Sequence, residues 1–313
     1  MRCIGVVGVG NMGAGIAHNL AKGDFQVMIY SRRCQDPCFR PEEDEVFGRL
    51  IQEGCVVART LKEVGGFSEA VITSVPLPED FLNVCAGEEG LLASMRKGTY
   101  IIDTSTIDVE TTRRVHTLGK DRGVRTLDAP VSGGPAGAKS GTMTIMVGGN
   151  EEDFQACKEI FACIGGNINY MGQIGTGQMV KLCNQAISAS QSAVMGEVFV
   201  TGIKAGLNLA DMARVIRTSS GNCWMLENFF PETVFKNQFD PPRFALRMML
   251  KDIDLYMRTA KALGVPSLVS GTVMQMFTAA VAMGKGELDV TSVVQVAEEL
   301  GKQRIVTGDE SKD

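Results

Sequence analysis

The first half of the sequence alternates short apolar runs with segments in which apolar residues recur at helical spacing. This alternation predicts parallel strands joined by helices that cover both faces of one sheet. The predicted strands are residues 3–7, 26–30, 70–75, 99–103, 125–128 and 142–147. The predicted helices between them are residues 12–21, 81–85, 109–119 and 151–163.

After residue 170 the sequence loses its strand pattern and becomes helical. Apolar residues recur at helical spacing from residue 178 to residue 204, which predicts one long helix or two abutting ones. A second clear helix is predicted over residues 244–263. The glycine-rich stretch MGQIGTG at 171–177 separates the two patterns. We therefore predict two domains, residues 1–174 and residues 175–313, the second beginning with a long interdomain helix.

Three glycines follow the first predicted strand at the spacing Gly-x-Gly-x-x-Gly and precede a helix. In this context the first glycine permits a tight turn, the second lets the backbone approach a pyrophosphate, and the third lets helix and strand pack closely. The helix N-terminus then faces the phosphates. We predict an α/β fold, with an N-terminal Rossmann-type doubly wound sheet followed by an all-α C-terminal domain. The predicted dinucleotide contacts at this turn are Gly8, Gly10, Asn11, Met12 and Gly13.

The end of the second predicted strand indicates which dinucleotide binds. An NAD site usually has Asp or Glu there for the ribose 2′-hydroxyl, whereas Arg accommodates a 2′-phosphate. This chain has Ser31, Arg32 and Arg33 instead of an acid. Because guanidinium groups suit phosphate, we predict that these residues bind NADP(H) in preference to NAD(H). Val75 and Pro76, where the next strand ends, are also predicted to contact the cofactor.

Charge and hydropathy exclude several kinds of partner. Lys and Arg total 31 against 36 Asp and Glu, a formal net charge of −5 without long runs of like charge. We expect no nucleic-acid partner. No apolar stretch reaches the roughly eighteen residues of a membrane span, and the first apolar run is too short for a signal peptide. We expect a cytoplasmic protein with no membrane partner. The charged segment 301–313 is predicted to be a solvated terminus.

Histidine occurs only at His18 and His116. We therefore predict no metal site and no Ser-His-Asp triad. A nicotinamide moves only the hydride, so another side chain must exchange the hydroxyl proton of an alcohol substrate. No Tyr has Lys four residues later, which excludes the Tyr-x-x-x-Lys pair of short-chain reductases. A lysine is the leading candidate.

Four segments, in order, resemble the β-hydroxyacid dehydrogenases, which include 3-hydroxyisobutyrate, tartronate semialdehyde, 6-phosphogluconate and L-threonate dehydrogenases and the glyoxylate/succinic semialdehyde reductases. They are GVVGVGNMGAGIA from Gly5, DAPVSGGPAGAKSGTMTIMVGG from Asp128, GQIGTGQMVKLCNQ from Gly172 and LKDIDL from Leu250. One such motif is weak, but four with family-like spacing across most of the chain are specific.

The resemblance implies roles for individual residues. It implies that Lys181 is the proton donor and acceptor, and that Thr106 in DTSTI contacts the cofactor. Lys251 is expected beside nicotinamide and substrate, where its charge, with partial burial, would lower the pKa of Lys181 in a cleft between the domains. The segment that is implied to bind the substrate carboxylate consists of Ser132, Gly133 and Gly134.

Two positions depart from the family pattern. The family's catalytic asparagine usually follows the lysine by four positions, where this chain has Gln185, preceded by Asn184. We expect one of these two amides to bind substrate. The stretch SSGNCW at 219–224 resembles 3-hydroxyisobutyrate dehydrogenases, several of which have Arg in place of Asn222. Trp224 and the residues after it are more similar to threonate dehydrogenase-like members, whose substrates are polar sugar acids.

The sequence therefore predicts an NAD(P)-dependent oxidoreductase that interconverts a small 3-hydroxy acid, or the hydroxy acid formed from an aldehyde acid, with its carbonyl form. The alternatives are an imine reductase, which retention of Lys181 and the Ser-Gly-Gly loop disfavours, and a non-catalytic NADP-binding sensor or scaffold. The apolar segments 212–216 and 269–281 of the second domain favour a homodimer or homotetramer.

Overall fold

The computed structural model describes residues 1–306 and contains two compact units, Met1–Lys181 and a second that begins at Leu182. The predicted solvated terminus, residues 301–313, lies outside the described residues from residue 307 onward. In its described part the prediction is wrong at Ile305, which is 3% exposed and packs in the apolar core of the second unit. Each unit has its own buried apolar core. The long helix predicted from the sequence contains the point of division.

The first unit contains a sheet of nine strands within residues 1–306. Its order is β3-β2-β1-β4-β5-β6-β8-β7, with β9 paired to β8. Strands β1 to β6 are parallel, and β8 runs antiparallel to β6 and β7. The strands are β1 (Cys3–Val7), β2 (Gln26–Tyr30), β3 (Val56–Val57), β4 (Ala70–Thr73), β5 (Tyr100–Asp103), β6 (Arg125–Asp128), β7 (Val131–Ser132), β8 (Met143–Gly148) and β9 (Gly165–Gly172).

Helices connect the strands of the first unit. Strands β4 and β5 are buried at every residue, as expected for a sheet with both faces covered. The strand order reverses between β1 and β4, and such a switch point leaves a crevice at the carboxyl ends of the strands. The helices are α1 (Asn11–Lys22), α2 (Glu45–Gln52), α3 (Leu61–Phe67), α4 (Pro78–Ala86), α5 (Val109–Asp121), α6 (Gly134–Ser140), α7 (Glu151–Ala156) and α8 (Lys158–Ile164).

The second unit is built from helices around aromatic side chains. The ring of Phe199 lies 6.0 Å from that of Phe230 and 5.4 Å from that of Phe235, measured between centroids. Within residues 1–306, no helix has the length and apolar composition needed to cross a membrane. The helices are α9 (Thr176–Lys204), which begins in the first unit, α10 (Leu209–Arg217), α11 (Trp224–Asn228), α12 (Leu246–Ala262), α13 (Leu268–Ala282) and α14 (Val294–Gly301).

The predicted fold class, a Rossmann-type sheet followed by an all-α region, is confirmed. Helix α9 is one continuous helix of 29 residues, about 43 Å long at 1.5 Å per residue. The single helix predicted over 151–163 is wrong, because α7 and α8 are separated at Cys157. The N–H of Cys157 is shared between the carbonyls of Asp153 and Phe154, which tightens the turn there.

Candidate active site

The turn between β1 and α1 uses its three glycines in different ways. Gly8 has a φ of +97°, and a Cβ on it would lie 2.1 Å from Ser74 O. A Cβ on Gly13 would lie 2.0 Å from Gly8 O. By contrast, no described atom outside its immediate neighbourhood lies within 4 Å of a Cβ built on Gly10, and no described side chain caps α1. The open space faces uncapped N–H groups, so the turn fits a pyrophosphate.

The predicted cofactor contacts of the first unit meet at one edge of the sheet. Gly8 to Gly13 follow β1, Ser31 to Arg33 follow β2, Val75 and Pro76 follow β4, and Thr106 follows β5. The carboxyl ends of parallel strands lie at the same edge, which is where dinucleotides bind in open α/β sheets. The loops after β4 and β5 are joined directly, because Val75 N–H donates to Ser105 Oγ at 2.9 Å.

The two arginines after β2 have different surroundings. The Arg32 side chain is 78% exposed and contacts Asp80 of α4, with Nη1 3.2 Å from Oδ1. Arg33 pairs with Asp44 at 2.5 Å, and its guanidinium lies 5.3 Å from the ring centroids of both Phe39 and Phe47. Arg33 thus packs against the start of α2 and the segment before it, whereas the Arg32 side chain is largely exposed to solvent.

A cavity of about 930 Å³ opens beside these arginines. It begins at Cys34, directly after Arg33, and has the volume of a small-molecule site. Its other walls come from the segments before α3 and after α4. The lining residues are 34–37, 59–61, Asn83 and 87–90.

The segment implied to bind the substrate carboxylate leads into α6, a helix that packs on α1. Ser132 ends β7, and Gly133 and Gly134 follow with φ angles of +135° and +61°, which favour glycine. Helix α6 then packs closely on α1, because a Cβ on Gly15 would lie 2.6 Å from Ala138 C. Asn19 of α1 reinforces this contact by donating to Ala138 O at 2.7 Å.

Lys181 lies in the second turn of α9 and is 7% exposed. The start of this helix is bound to the sheet by Asp128, a fully buried residue at the end of β6. The Asp128 carboxylate accepts from Gly175 N–H at 2.7 Å and from Gln178 N–H at 2.8 Å. A carboxylate at a helix N-terminus stabilises the helix and holds its first turn in place. Burial nevertheless raises the pKa of Asp128.

A second buried acid, Asp103, lies at the end of β5. Its Oδ1 accepts from Thr73 Oγ1 at 2.8 Å and from Ser105 N–H at 3.2 Å. Its Oδ2 accepts from Gln178 Nε2 at 3.3 Å. Burial outweighs these hydrogen bonds and raises the pKa of Asp103 to about 6.

In the second unit, the predicted substrate residues form a separate hydrogen-bonded cluster. Lys251 Nζ lies 2.9 Å from Asp252 Oδ1, and the Asp252 side chain is 2% exposed. Gln185 Nε2 donates to Asp252 Oδ2 at 2.7 Å, and Asn184 Nδ2 donates to Gln185 Oε1 at 3.2 Å. Asp252 thus orients both the lysine and the glutamine.

The segment with mixed family likeness lies between α10 and α11. Asn222 Nδ2 donates to Glu227 Oε1 at 3.0 Å, and Glu227 Oε2 lies 3.7 Å from Arg217 Nε. Trp224 is 55% exposed and packs on Phe229, with ring centroids 5.5 Å apart. The amide at position 222 therefore contacts an acid of its own unit.

Sequence reasoning missed the residues that position the predicted ones. The four missed residues all lie in or beside the motifs quoted above. The sequence signal that could have identified them is a polar residue at the end of an apolar strand or at a predicted buried turn. Among residues 1–306, no group of three or more His, Cys, Asp or Glu side chains could hold a metal ion. The missed positioning residues are Asp103, Asp128, Gln178 and Asp252.

The strand order, the glycine turn and the loops at the carboxyl edge define a dinucleotide-binding α/β protein with a helical second unit. A family model described as the NAD binding domain of 6-phosphogluconate dehydrogenase matches residues 3–172. A second model, described as NAD-binding of NADP-dependent 3-hydroxyisobutyrate dehydrogenase, matches residues 175–297. The chain belongs to the β-hydroxyacid dehydrogenase family and carries its NAD(P)-binding domains.

Individual relatives agree with this assignment. A probable mitochondrial 3-hydroxyisobutyrate dehydrogenase of Dictyostelium discoideum is 33% identical over 297 residues, 93% of this chain and 89% of the relative. An NAD-dependent L-serine dehydrogenase of Pseudomonas aeruginosa is 31% identical, over 94% of this chain and 97% of the relative. The solved structure of Mycobacterium tuberculosis 3-hydroxyisobutyrate dehydrogenase with L-serine has a TM-score of 0.82 at 30% identity, covering 94% and 98% of the two chains.

Imine reductases share the fold at a greater distance. The structure of an imine reductase from Pseudomonas sp. has a TM-score of 0.59 at 19% identity and covers 94% of this chain and 99% of its own. This similarity shows the fold alone.

Proposed function

We propose that the protein is an oxidoreductase that uses NADP(H) in preference to NAD(H) to interconvert a small 3-hydroxy acid with its carbonyl form. The observation that carries the proposal is Lys181 in the second turn of α9, a helix whose start is held by the carboxyl ends of β5 and β6. The same edge of the sheet carries the predicted cofactor loops. The β-hydroxyacid dehydrogenase family membership supports the same activity.

The chain's own residues have distinct tasks in this proposal. When bound, the cofactor accepts or supplies the hydride. In the oxidising direction, the Lys181 amine takes the substrate hydroxyl proton while the carbon loses hydride. In the reducing direction, the Lys181 ammonium returns a proton to the carbonyl oxygen. Ser132, Gly133 and Gly134 hold the substrate carboxylate, and Lys251 contributes positive charge.

The two amides after Lys181 have different restraints. Gln185 is buried and donates to Asp252, whereas Asn184 is partly exposed and donates to the Gln185 side chain. Both stay proposed substrate contacts. We favour Gln185 as the fixed member of the pair, because its orientation is set by a buried carboxylate.

The cofactor preference rests on Arg32. This guanidinium is exposed at the end of β2, where a 2′-phosphate is recognised in NADP-binding sheets. The cavity of about 930 Å³ next to it is the proposed site of the adenosine portion. The L-serine dehydrogenase relative is NAD-dependent, so the family accommodates either cofactor.

The substrate class follows from relatives and from the segment around Trp224. Candidate substrates are 3-hydroxyisobutyrate-like acids, L-serine, and polar sugar acids such as threonate or the acids related to tartronate semialdehyde. Asn222 in place of Arg removes a positive charge from this segment and favours the polar acids. A non-catalytic sensor or scaffold is disfavoured because Lys181 is retained.

A cofactor-absorbance screen tests the proposal. The purified protein is assayed with NADP and with NAD against 3-hydroxyisobutyrate, L-serine, threonate, glycerate, 4-hydroxybutyrate and 6-phosphogluconate. We expect turnover of at least one acid, with higher kcat/KM for NADP than for NAD. Reduction of cyclic imines without oxidation of any acid would instead support an imine reductase, and no turnover with either class would support the sensor.

We also propose that the protein forms a homodimer or homotetramer through its second unit. Helix α9 exposes Ile187, Val194 and Val198 along one face, and a groove of about 720 Å³ runs between this face and α13. Such exposed apolar surface is typical of an interface between protein chains. A second copy of the chain is the proposed occupant, and light scattering measures the resulting mass. The cytoplasmic location stays a prediction.

A further inference from the structure

Gln178 is a buried side chain that joins the first turn of α9 to the loop after β5. It is 0% exposed. Its Nε2 donates to Ser105 O at 2.9 Å and to Asp103 Oδ2 at 3.3 Å, and its Oε1 accepts from Ile107 N–H at 3.2 Å. Both the nitrogen and the oxygen of the carboxamide are therefore hydrogen-bonded to the same segment, residues 103–107.

These hydrogen bonds lie on either side of Thr106. The carbonyl of Ser105 precedes Thr106 and the N–H of Ile107 follows it, so one amide fixes the backbone before and after this residue. Thr106 is the residue of this loop that is implied to contact the cofactor. The restraint extends to the next loop, because Ser105 Oγ accepts from Val75 N–H.

The same side chain belongs to the helix that carries Lys181. Residues 178 and 181 are three positions apart, so they are neighbours on one face of α9. The backbone of Gln178 is itself held by Asp128. Movement of α9 against the loop after β5 would therefore break the hydrogen bonds of Gln178.

Hydride and proton leave adjacent atoms of one substrate. The cofactor loop and the proton-transferring lysine must therefore be held at a fixed distance and orientation relative to each other. Catalytic geometry is sensitive to displacements on the order of 0.5 Å to 1 Å. We propose that Gln178 is a positioning residue that fixes the position of the Thr106 loop relative to Lys181. This inference rests on the proposed function, because it assigns Lys181 to proton transfer.

The test replaces the amide while keeping its size. Gln178→Met retains the length of the side chain but removes its three amide hydrogen bonds, and it leaves the backbone bond to Asp128 in place. Ser68→Ala is the matched control, because Ser68 is also 0% exposed in the first unit and donates one buried hydrogen bond, to Val64 O at 2.7 Å, away from α9. Three quantities are measured for both variants: cofactor Kd by fluorescence titration, kcat, and the primary isotope effect on kcat with deuterated reduced cofactor.

The proposal predicts that Gln178→Met lowers kcat by about 10-fold to 100-fold, as expected for misplaced reacting groups. Cofactor Kd should change by less than kcat, and the isotope effect should rise because hydride transfer becomes slower than product release. Hydrogen exchange of the free protein should show faster exchange at Ile107. Ser68→Ala should lower Tm by an amount comparable to that of Gln178→Met but retain the wild-type kcat and isotope effect.

Wild-type kcat and isotope effect in Gln178→Met, with an active wild-type enzyme, would overturn the inference and leave the proposed function intact. A wild-type protein that oxidises no acid and reduces no aldehyde acid would overturn both. Should Gln178→Met fail to fold, Gln178→Asn serves in its place. Its shorter amide cannot reach Ser105 O and Ile107 N–H together, so the same fall in kcat is expected, and an unchanged kcat is again contradictory.

Discussion

Arg32 and Arg33 are adjacent in sequence, yet their side chains have different contacts. Arg33 is held by Asp44 and lies over two phenylalanine rings, which is a packing role. Arg32 is exposed and has a single long ion pair with Asp80. The sequence predicted both as 2′-phosphate contacts, and both stay predictions. Two adjacent arginines in a sequence do not show which of them pairs with neighbouring elements.

We predict that Arg32→Ala lowers kcat/KM for NADP by about 10-fold to 100-fold and leaves kcat/KM for NAD nearly unchanged. The lost group is a charged hydrogen-bond donor to a phosphate that NAD does not have. Arg40→Ala is the control, because Arg40 is an exposed arginine of the same region that donates to Pro37 O at 2.9 Å. An equal loss for both cofactors, or an effect as large in Arg40→Ala, would contradict the assignment.

Asp103 gives the chain a specific pH dependence. Its folded pKa of about 6 lies above the usual value near 4, so the folded state binds the proton more tightly than the unfolded state. The resulting stabilisation is fully present below pH 4 and is lost as pH rises through 6. It amounts to about 3 kcal/mol for a shift of this size.

The variant Asp103→Asn isolates this contribution, because an amide does not titrate. Between pH 4 and pH 7 the unfolding free energy of the wild type should fall relative to that of the variant, as measured by urea denaturation. A pH-independent difference in unfolding free energy between the two proteins reflects hydrogen bonds that Asn cannot accept. Only the change of this difference with pH reports the titration of Asp103. Parallel pH curves for the two proteins would show that Asp103 does not titrate in this range.

At the scale of elements, the turn between β1 and α1 combines a packing requirement with a binding requirement. The sequence identified this turn because the glycine spacing is local and its neighbours have clear periodicity. It did not predict β3 and β7, since strands of two residues have no periodic pattern. Strand β9 was also missed, because only one of its eight residues is buried and five of them are glycine or asparagine.

Gly10→Ala and Gly13→Ala should therefore affect different properties, cofactor binding in the first variant and thermal stability in the second. Gly10 has a φ of −100°, which alanine tolerates, and its added methyl group would occupy open space. We predict an almost unchanged Tm and at least a 10-fold weaker cofactor Kd. Gly13→Ala should lower Tm by several degrees, because its methyl group would overlap Gly8 O. Thermal denaturation and fluorescence titration measure both quantities. Tight cofactor binding by a stable Gly10→Ala protein would contradict a pyrophosphate at this turn.

At the scale of the whole molecule, the sequence predicted the order of the two parts because their periodicities differ so clearly. The motifs also located Lys181 and the loops at the carboxyl edge of the sheet. The buried positioning residues could not be ranked from sequence, since their importance depends on contacts between distant segments. Gln178 and Asp103 are 75 residues apart, and Asp128 and Gly175 are 47 apart. Only the folded chain shows that these pairs hold α9 to the sheet.

We propose that Lys181 is the group that exchanges the hydroxyl proton when a hydroxy acid is oxidised. The most direct test is the kcat of Lys181→Ala at saturating cofactor and substrate, with cofactor Kd measured on the same preparation. We predict a kcat lowered by about 10² to 10⁴-fold with a cofactor Kd within a few-fold of wild type. A folded Lys181→Ala protein that binds cofactor and turns over at a near-normal rate would contradict it.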